Sequence, residues 1–169
     1  MTIQAGETRT GARPWTPAAF GAAGWALAFA LPHVYWGVGG VTGLATALNR
    51  EIVDGRDAGF LIGNLGIAVF CITGGLVALA FLRPWGGRLP RRPIRALAWF
   101  GFLLLTARAV DIYLEFGLGL TGLSTIAADE RAEFMRLAPW FLFLWLPWFA
   151  SGAAVWGTLA VRSATWRRP

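Results

Sequence analysis

Residues Ala96–Leu118, ALAWFGFLLLTARAVDIYLEFGL, decide the reading of this chain. As a helix the run is long enough to cross a hydrocarbon core of roughly 30 Å. It nevertheless carries Arg108, Asp111 and Glu115. At 100° per residue Asp111 falls about 60° and Glu115 about 20° from Arg108, so the three share one helix face. A charge near the bilayer centre costs roughly 2.5–3.5 kcal/mol on insertion scales. The three are therefore expected to pair with one another and to point into protein or a wet cavity.

Three further stretches have the same length and apolar character: Trp15–Gly37, Phe60–Leu82 and Leu137–Val161. With 56% hydrophobic and 14% charged residues the chain lies outside the range of a soluble domain. The fold expected is an all-α membrane protein, a bundle of four transmembrane helices over residues 15–161 with spans at about 15–37, 60–82, 96–118 and 137–161. Residues 1–14 form a short polar tail and 162–169 a basic one. The first span follows Arg9 and Arg13 as a signal peptide would, but no small-x-small cleavage site closes it before Pro32 and His33, so it is read as a retained helix.

The net charge of +6 is explained by orientation rather than by nucleic acid. Ten arginines lie before the first span, between the second and third, and after the fourth; four lie in the other two connections. That alternation predicts both termini and the middle connection in the cytoplasm, with the lipid bilayer as the partner and no role in binding nucleic acid.

The remaining polar residues converge on one depth. His33 near the end of the first span and Asn64 near the start of the second fall level with Arg108, Asp111 and Glu115. A polar pocket in the outer half of the bundle is expected from these five. The same atoms serve three readings. In one, they form a structural network that fixes helix register. In another, Arg108 neutralises one carboxylate while the second moves a proton alongside His33, which makes His33, Asp111 and Glu115 the candidate catalytic groups. In a third, the site is shared across a subunit interface.

Several chemistries are disfavoured. A single histidine excludes bis-histidine haem within one bundle, and zinc ligation by His33, Asp111 and Glu115 has no diagnostic spacing, so neither a cofactor nor a metal site is expected. GVGG at 37–40 is too short for a dinucleotide fingerprint. Cys71 stands alone in the second span and reads as a small buried residue.

Packing signals are plain. Ala18, Ala22, Ala26 and Ala30 form a small-residue stripe, as do Asn64, Ala68, Cys71, Gly75 and Ala78, and such stripes let helices approach closely in lipid. Trp15, Trp36, Trp85, Trp99, Trp140 and Trp166 mark span ends, whereas Trp25, Trp145, Trp148 and Trp156 lie deeper and read as packing or as the wall of an aromatic pocket. Pro147 is expected to interrupt the fourth helix, and Pro139 to sit in its first turn. Ser124 is placed to cap a short helix over Asp129–Arg136. The connection from Gly39 to Gly59 begins apolar enough to lie at the interface and lid a cavity.

Two motifs carry a resemblance. His33-Val-Tyr-Trp-Gly-Val-Gly-Gly40 resembles the His/Leu-x-Tyr-Trp-Ala-Leu-Gly-Gly signature of domain-of-unknown-function family 3995, small bacterial membrane proteins of four helices. Trp145-Leu-Pro-Trp-Phe-Ala-Ser-Gly-Ala153 is similar to that family's Trp-x-Pro-Trp-Phe-Leu-x-Gly-Gly pattern, departing where the Gly-Gly pair is broken. The resemblance implies a multi-pass fold in the bacterial cytoplasmic membrane, and it adds Tyr35 and Trp36 to the rim of the pocket. The expected function is non-enzymatic: binding of a small molecule or lipid, or service as an accessory subunit, in a homodimer or a larger membrane complex. The alternatives are a proton-coupled transporter using Asp111 or Glu115, and a membrane isomerase or reductase acting on an apolar substrate.

Overall fold

The computed structural model describes residues 15–164, which leaves the two tails, with Trp166 and the last arginines, outside the described residues. Four helices are long and apolar enough to cross a membrane: α1 (Thr16–Gly37), α3 (Ala58–Ala80), α4 (Arg91–Thr121) and α5 (Arg131–Ala164). A short helix, α2 (Arg50–Asp54), lies in the connection between α1 and α3. No strand occurs among the described residues. The helices alternate in direction around a ring in which α1 packs on α3, α4 on α5 and α5 on α1, while α3 and α4 meet only sparsely.

Small residues make the α1–α3 seam. Ala18, Ala22, Ala26 and Ala30 are buried, as are Asn64, Ala68, Cys71, Gly75 and Ala78 of α3. A Cβ added at Gly75 would touch Leu27 at 3.4 Å and the Ala23 carbonyl oxygen at 3.6 Å, so the two backbones are close enough for dispersion to hold them. The α4–α5 seam interlocks glycine with aromatic in both directions: Cβ atoms at Gly101 and Gly157 would lie 2.8 Å from Trp156 and Phe102. At the end of the bundle where the chain enters, Trp15 Nε1 donates to the Phe81 carbonyl oxygen at 3.3 Å.

At 31 and 34 residues, α4 and α5 would be about 46 and 51 Å long, well beyond the hydrocarbon core. Each contains one wide, π-helical turn: Tyr113–Gly117 in α4 and Phe141–Trp145 in α5. The turns face each other, and the rings of Phe116 and Phe141 stack at 4.3 Å with 10° between their planes. The wide turn of α5 ends two residues before Pro147, whose missing N–H leaves the ladder one donor short.

Two sequence expectations are corrected here. Helix α5 starts at Arg131, so Pro139 lies inside it instead of in its first turn. No side chain caps that start, so Ser124 does not serve as its cap. The helix expected as a separate piece over 129–136 is the extension of the span itself.

Candidate functional site

His33 is the centre of the polar arrangement. Its Nδ1 lies 2.9 Å from Asn64 Oδ1, and Asn64 Nδ2 donates to the Phe60 carbonyl oxygen at 2.9 Å. The second bond orients the amide, so Asn64 presents an acceptor and the proton of a neutral His33 resides on Nδ1. That leaves Nε2 as an acceptor. Asn64 can do this because it begins the small-residue face of α3, which brings it against α1. The His33 ring stands edge-on to Phe29 (4.8 Å) and Trp36 (5.1 Å).

Two clefts share His33, Trp36 and Ala47. The first, about 90 Å3, lies between α1, α4 and α5, where Phe29, Arg108, Phe141, Trp145 and Phe149 complete the wall. The second, about 310 Å3, lies between α1 and α3 and includes Leu48, Phe60 and Asn64. Arg108 reaches the first with its guanidinium 5.8 Å from the Phe141 ring centre and 5.9 Å from that of Phe149, within cation–π range. One face of the arrangement thus offers guanidinium donors and another an imidazole acceptor, separated by aromatic rings.

The roof is the connection from α1 to α3. It is fastened from a distance. Arg136 of α5 donates to the carbonyl oxygens of Ala45 and Leu48, the latter at 2.9 Å, and is itself held by Glu133. Glu133 accepts from the Arg50 backbone N–H at 2.8 Å. Trp145 Nε1 donates to the Thr46 carbonyl oxygen at 2.8 Å, and Trp36 Nε1 to that of Thr42 at 2.9 Å. Leu44 is fully buried beneath this clasp.

The other residues expected in the pocket divide. Asp111 pairs with Arg108, but the two side chains are 60% and 40% exposed. Glu115 is exposed and lines a separate open groove of about 710 Å3 with Arg50, Asp129, Glu133 and Phe134. Tyr35 is exposed and its hydroxyl lies 3.2 Å from Thr42 Oγ1. His33, Trp36, Asn64 and Arg108 are therefore brought together around the two clefts; Tyr35, Asp111 and Glu115 are not. The reason is visible along α4. Its buried positions are Ile94, Ala98, Leu105, Ile112 and Phe116, and the charged stripe runs beside that seam. Among the described residues no three His, Cys, Asp or Glu side chains gather as a metal site would require.

Sequence reasoning passed over Phe29, Phe141, Phe149 and the Glu133–Arg136 clasp. The i, i+3 spacing of Glu133 and Arg136 was a legible local signal, but the carbonyls that Arg136 holds lie some ninety positions away in sequence and carry none.

Fold and clefts together define a small four-helix membrane protein with an aromatic chamber under a fastened roof. Residues 26–156 match the family described as Protein of unknown function (DUF3995), and the chain belongs to that family. No curated protein and no solved structure shows a significant match.

Proposed function

We propose that the protein binds a small apolar molecule with a hydrogen-bond-accepting or anionic head in the roofed chamber, and that it does so in the bacterial cytoplasmic membrane with the chamber toward the outer face. One observation carries this reading: His33 and Arg108 border the same aromatic chamber, beneath a roof fastened by Arg136. A head group there would accept from Arg108, with the His33 ring beside it, and its ring or chain would lie against Phe29, Phe141 and Trp145. The orientation follows from the arginine distribution, which puts both termini and the α3–α4 connection in the cytoplasm.

A second reading is favoured by Asp111 and Glu115. Exposed carboxylates on the outer part of α4 suit an assembly surface for a second copy or another subunit, and the protein would then be an accessory component.

Native mass spectrometry of the protein released gently from its own membrane tests both. A retained molecule that is lost in His33→Ala and Arg108→Leu supports the chamber. A bare chain arriving only with a stoichiometric protein partner overturns it in favour of the assembly surface. Orientation is read in intact cells with a membrane-impermeant maleimide in a Cys71→Ala background: Ser124→Cys is expected to label and Gly87→Cys to remain unlabelled.

A further inference from the structure

A recess of about 110 Å3 enters the bundle where α3 and α4 separate. It is lined from all four membrane-crossing helices: Trp25 of α1, Cys71 and Gly74 of α3, Leu97 and Leu104 of α4, and Trp156 of α5. Its back wall is an indole held rigidly, because Trp156 is clamped between Gly74 and Gly101. The lining is almost wholly hydrocarbon. The hydroxyl of Thr73, which borders it, is already spent on the Val69 carbonyl oxygen at 2.8 Å. The recess offers almost nothing that would hold a polar head, so its occupant would keep that head elsewhere.

The place for a head group lies at the end of the same two helices. Their connection carries Arg83 and Arg88 and the first turns of α4 carry Arg91, Arg92 and Arg95; Arg83, Arg88 and Arg92 are exposed. From Arg83 the α3 lining runs from about 9 Å at Val77 to about 20 Å at Phe70, and from Arg95 the α4 lining runs from about 3 Å at Leu97 to about 15 Å at Leu105. The recess therefore takes up most of the ~15 Å that the chains of one leaflet span and reaches slightly past the midplane on the α3 side.

We propose that this recess is a binding site for one acyl chain of an anionic phospholipid, drawn from the leaflet that meets the α3–α4 connection and steered there by its arginines. The site is separate from the roofed chamber and does not depend on it: the Trp25–Phe29 ring pair, at 5.3 Å, stands between them.

The test uses the full chain purified in detergent and stripped of lipid, with dioleoyl phosphatidylglycerol or dioleoyl phosphatidylcholine added and adducts counted by native mass spectrometry. One phosphatidylglycerol is expected to bind about tenfold tighter than phosphatidylcholine. Gly74→Leu and Leu104→Trp, which fill the recess from opposite walls, are each expected to weaken it about tenfold. Gly74→Ala, whose Cβ finds ordinary contact at 3.6 Å from Trp156, and Gly66→Leu, with nothing within 4 Å, are expected to leave it unchanged. Equal binding of the two lipids would overturn the proposal, as would full binding by both filled variants. Neither result would touch the chamber, whose ligand is read through His33 and Arg108.

Discussion

Arg136 Nη2 lies 2.9 Å from the carbonyl oxygen of Leu48, a residue 88 positions earlier in the chain. The bond ties the start of α5 to the connection between α1 and α3, and with Glu133 and Trp145 it converts a surface segment into a fixed roof. A charged donor reaching backbone acceptors is among the stronger hydrogen bonds, each contributing about 1.5–3 kcal/mol. Partial exposure of Arg136 reduces that figure, yet the bonds act together on one short segment.

Arg136→Gln should therefore loosen the roof without unfolding the bundle. Limited trypsin digestion at Arg50 and Arg56 should speed up about tenfold, equivalent to about 1.4 kcal/mol of local opening. Unchanged cleavage would mean that Trp145 and Leu44 hold the roof by themselves.

His33 is the single histidine, so its ring nitrogens can be read without ambiguity. In the wild type at neutral pH the Nδ1–H tautomer should dominate two-bond 15N–1H spectra, because Asn64 presents an acceptor. Asn64→Leu should abolish that preference and cost about 1 kcal/mol by leaving a half-buried donor unmatched. An Nε2–H ring in the wild type would refute the orientation assigned to Asn64.

Arg108→Leu leaves Asp111 without its counter-charge and removes two cation–π contacts. A loss of about 1–2 kcal/mol is expected, the ion pair contributing little because both side chains are largely exposed. Removing Asp111 and Glu115 as well, in the triple leucine variant, should restore at least half of it. Detergent unfolding curves would show this, and a triple variant weaker than Arg108→Leu would show that the carboxylates have other partners.

Gly101→Ala should destabilise by about 1–3 kcal/mol, since its Cβ would lie 2.8 Å from the ring of the buried Trp156, which would have to shift. Gly66→Ala on α3, where nothing lies within 4 Å, serves as the neutral counterpart. Equal midpoints for the two in thermal unfolding would show that the α4–α5 seam repacks freely.

The helices were legible because each spans a membrane-length apolar run, and the α1–α3 seam because small residues recur at helical spacing. That His33 and Asn64 lie at one level followed from the spans, whereas their hydrogen bond to each other did not. Three features escaped for physical reasons. Helix α4 is apolar on nearly every side, so three charges on one face could not say which face turns inward; Leu105, Ile112 and Phe116 decided it by burial. The wide turn at Tyr113–Gly117 breaks the 100° projection on which the placement of Glu115 relied. The roof is held through backbone carbonyls, which every residue possesses and no composition reveals.

The two wide turns have a mechanical consequence. Together with Pro32 and Pro139 they gather most of the irregular helical backbone at the end of the bundle that carries the α1–α3 connection, while the stretch built on Ala19, Ala98 and Leu159 keeps regular turns. In hydrocarbon a helix yields where its ladder is already interrupted. The molecule thus consists of a stiff base and a compliant crown, and amide exchange in the purified protein should start in the crown, around Phe116 and Phe141, long before it reaches the base.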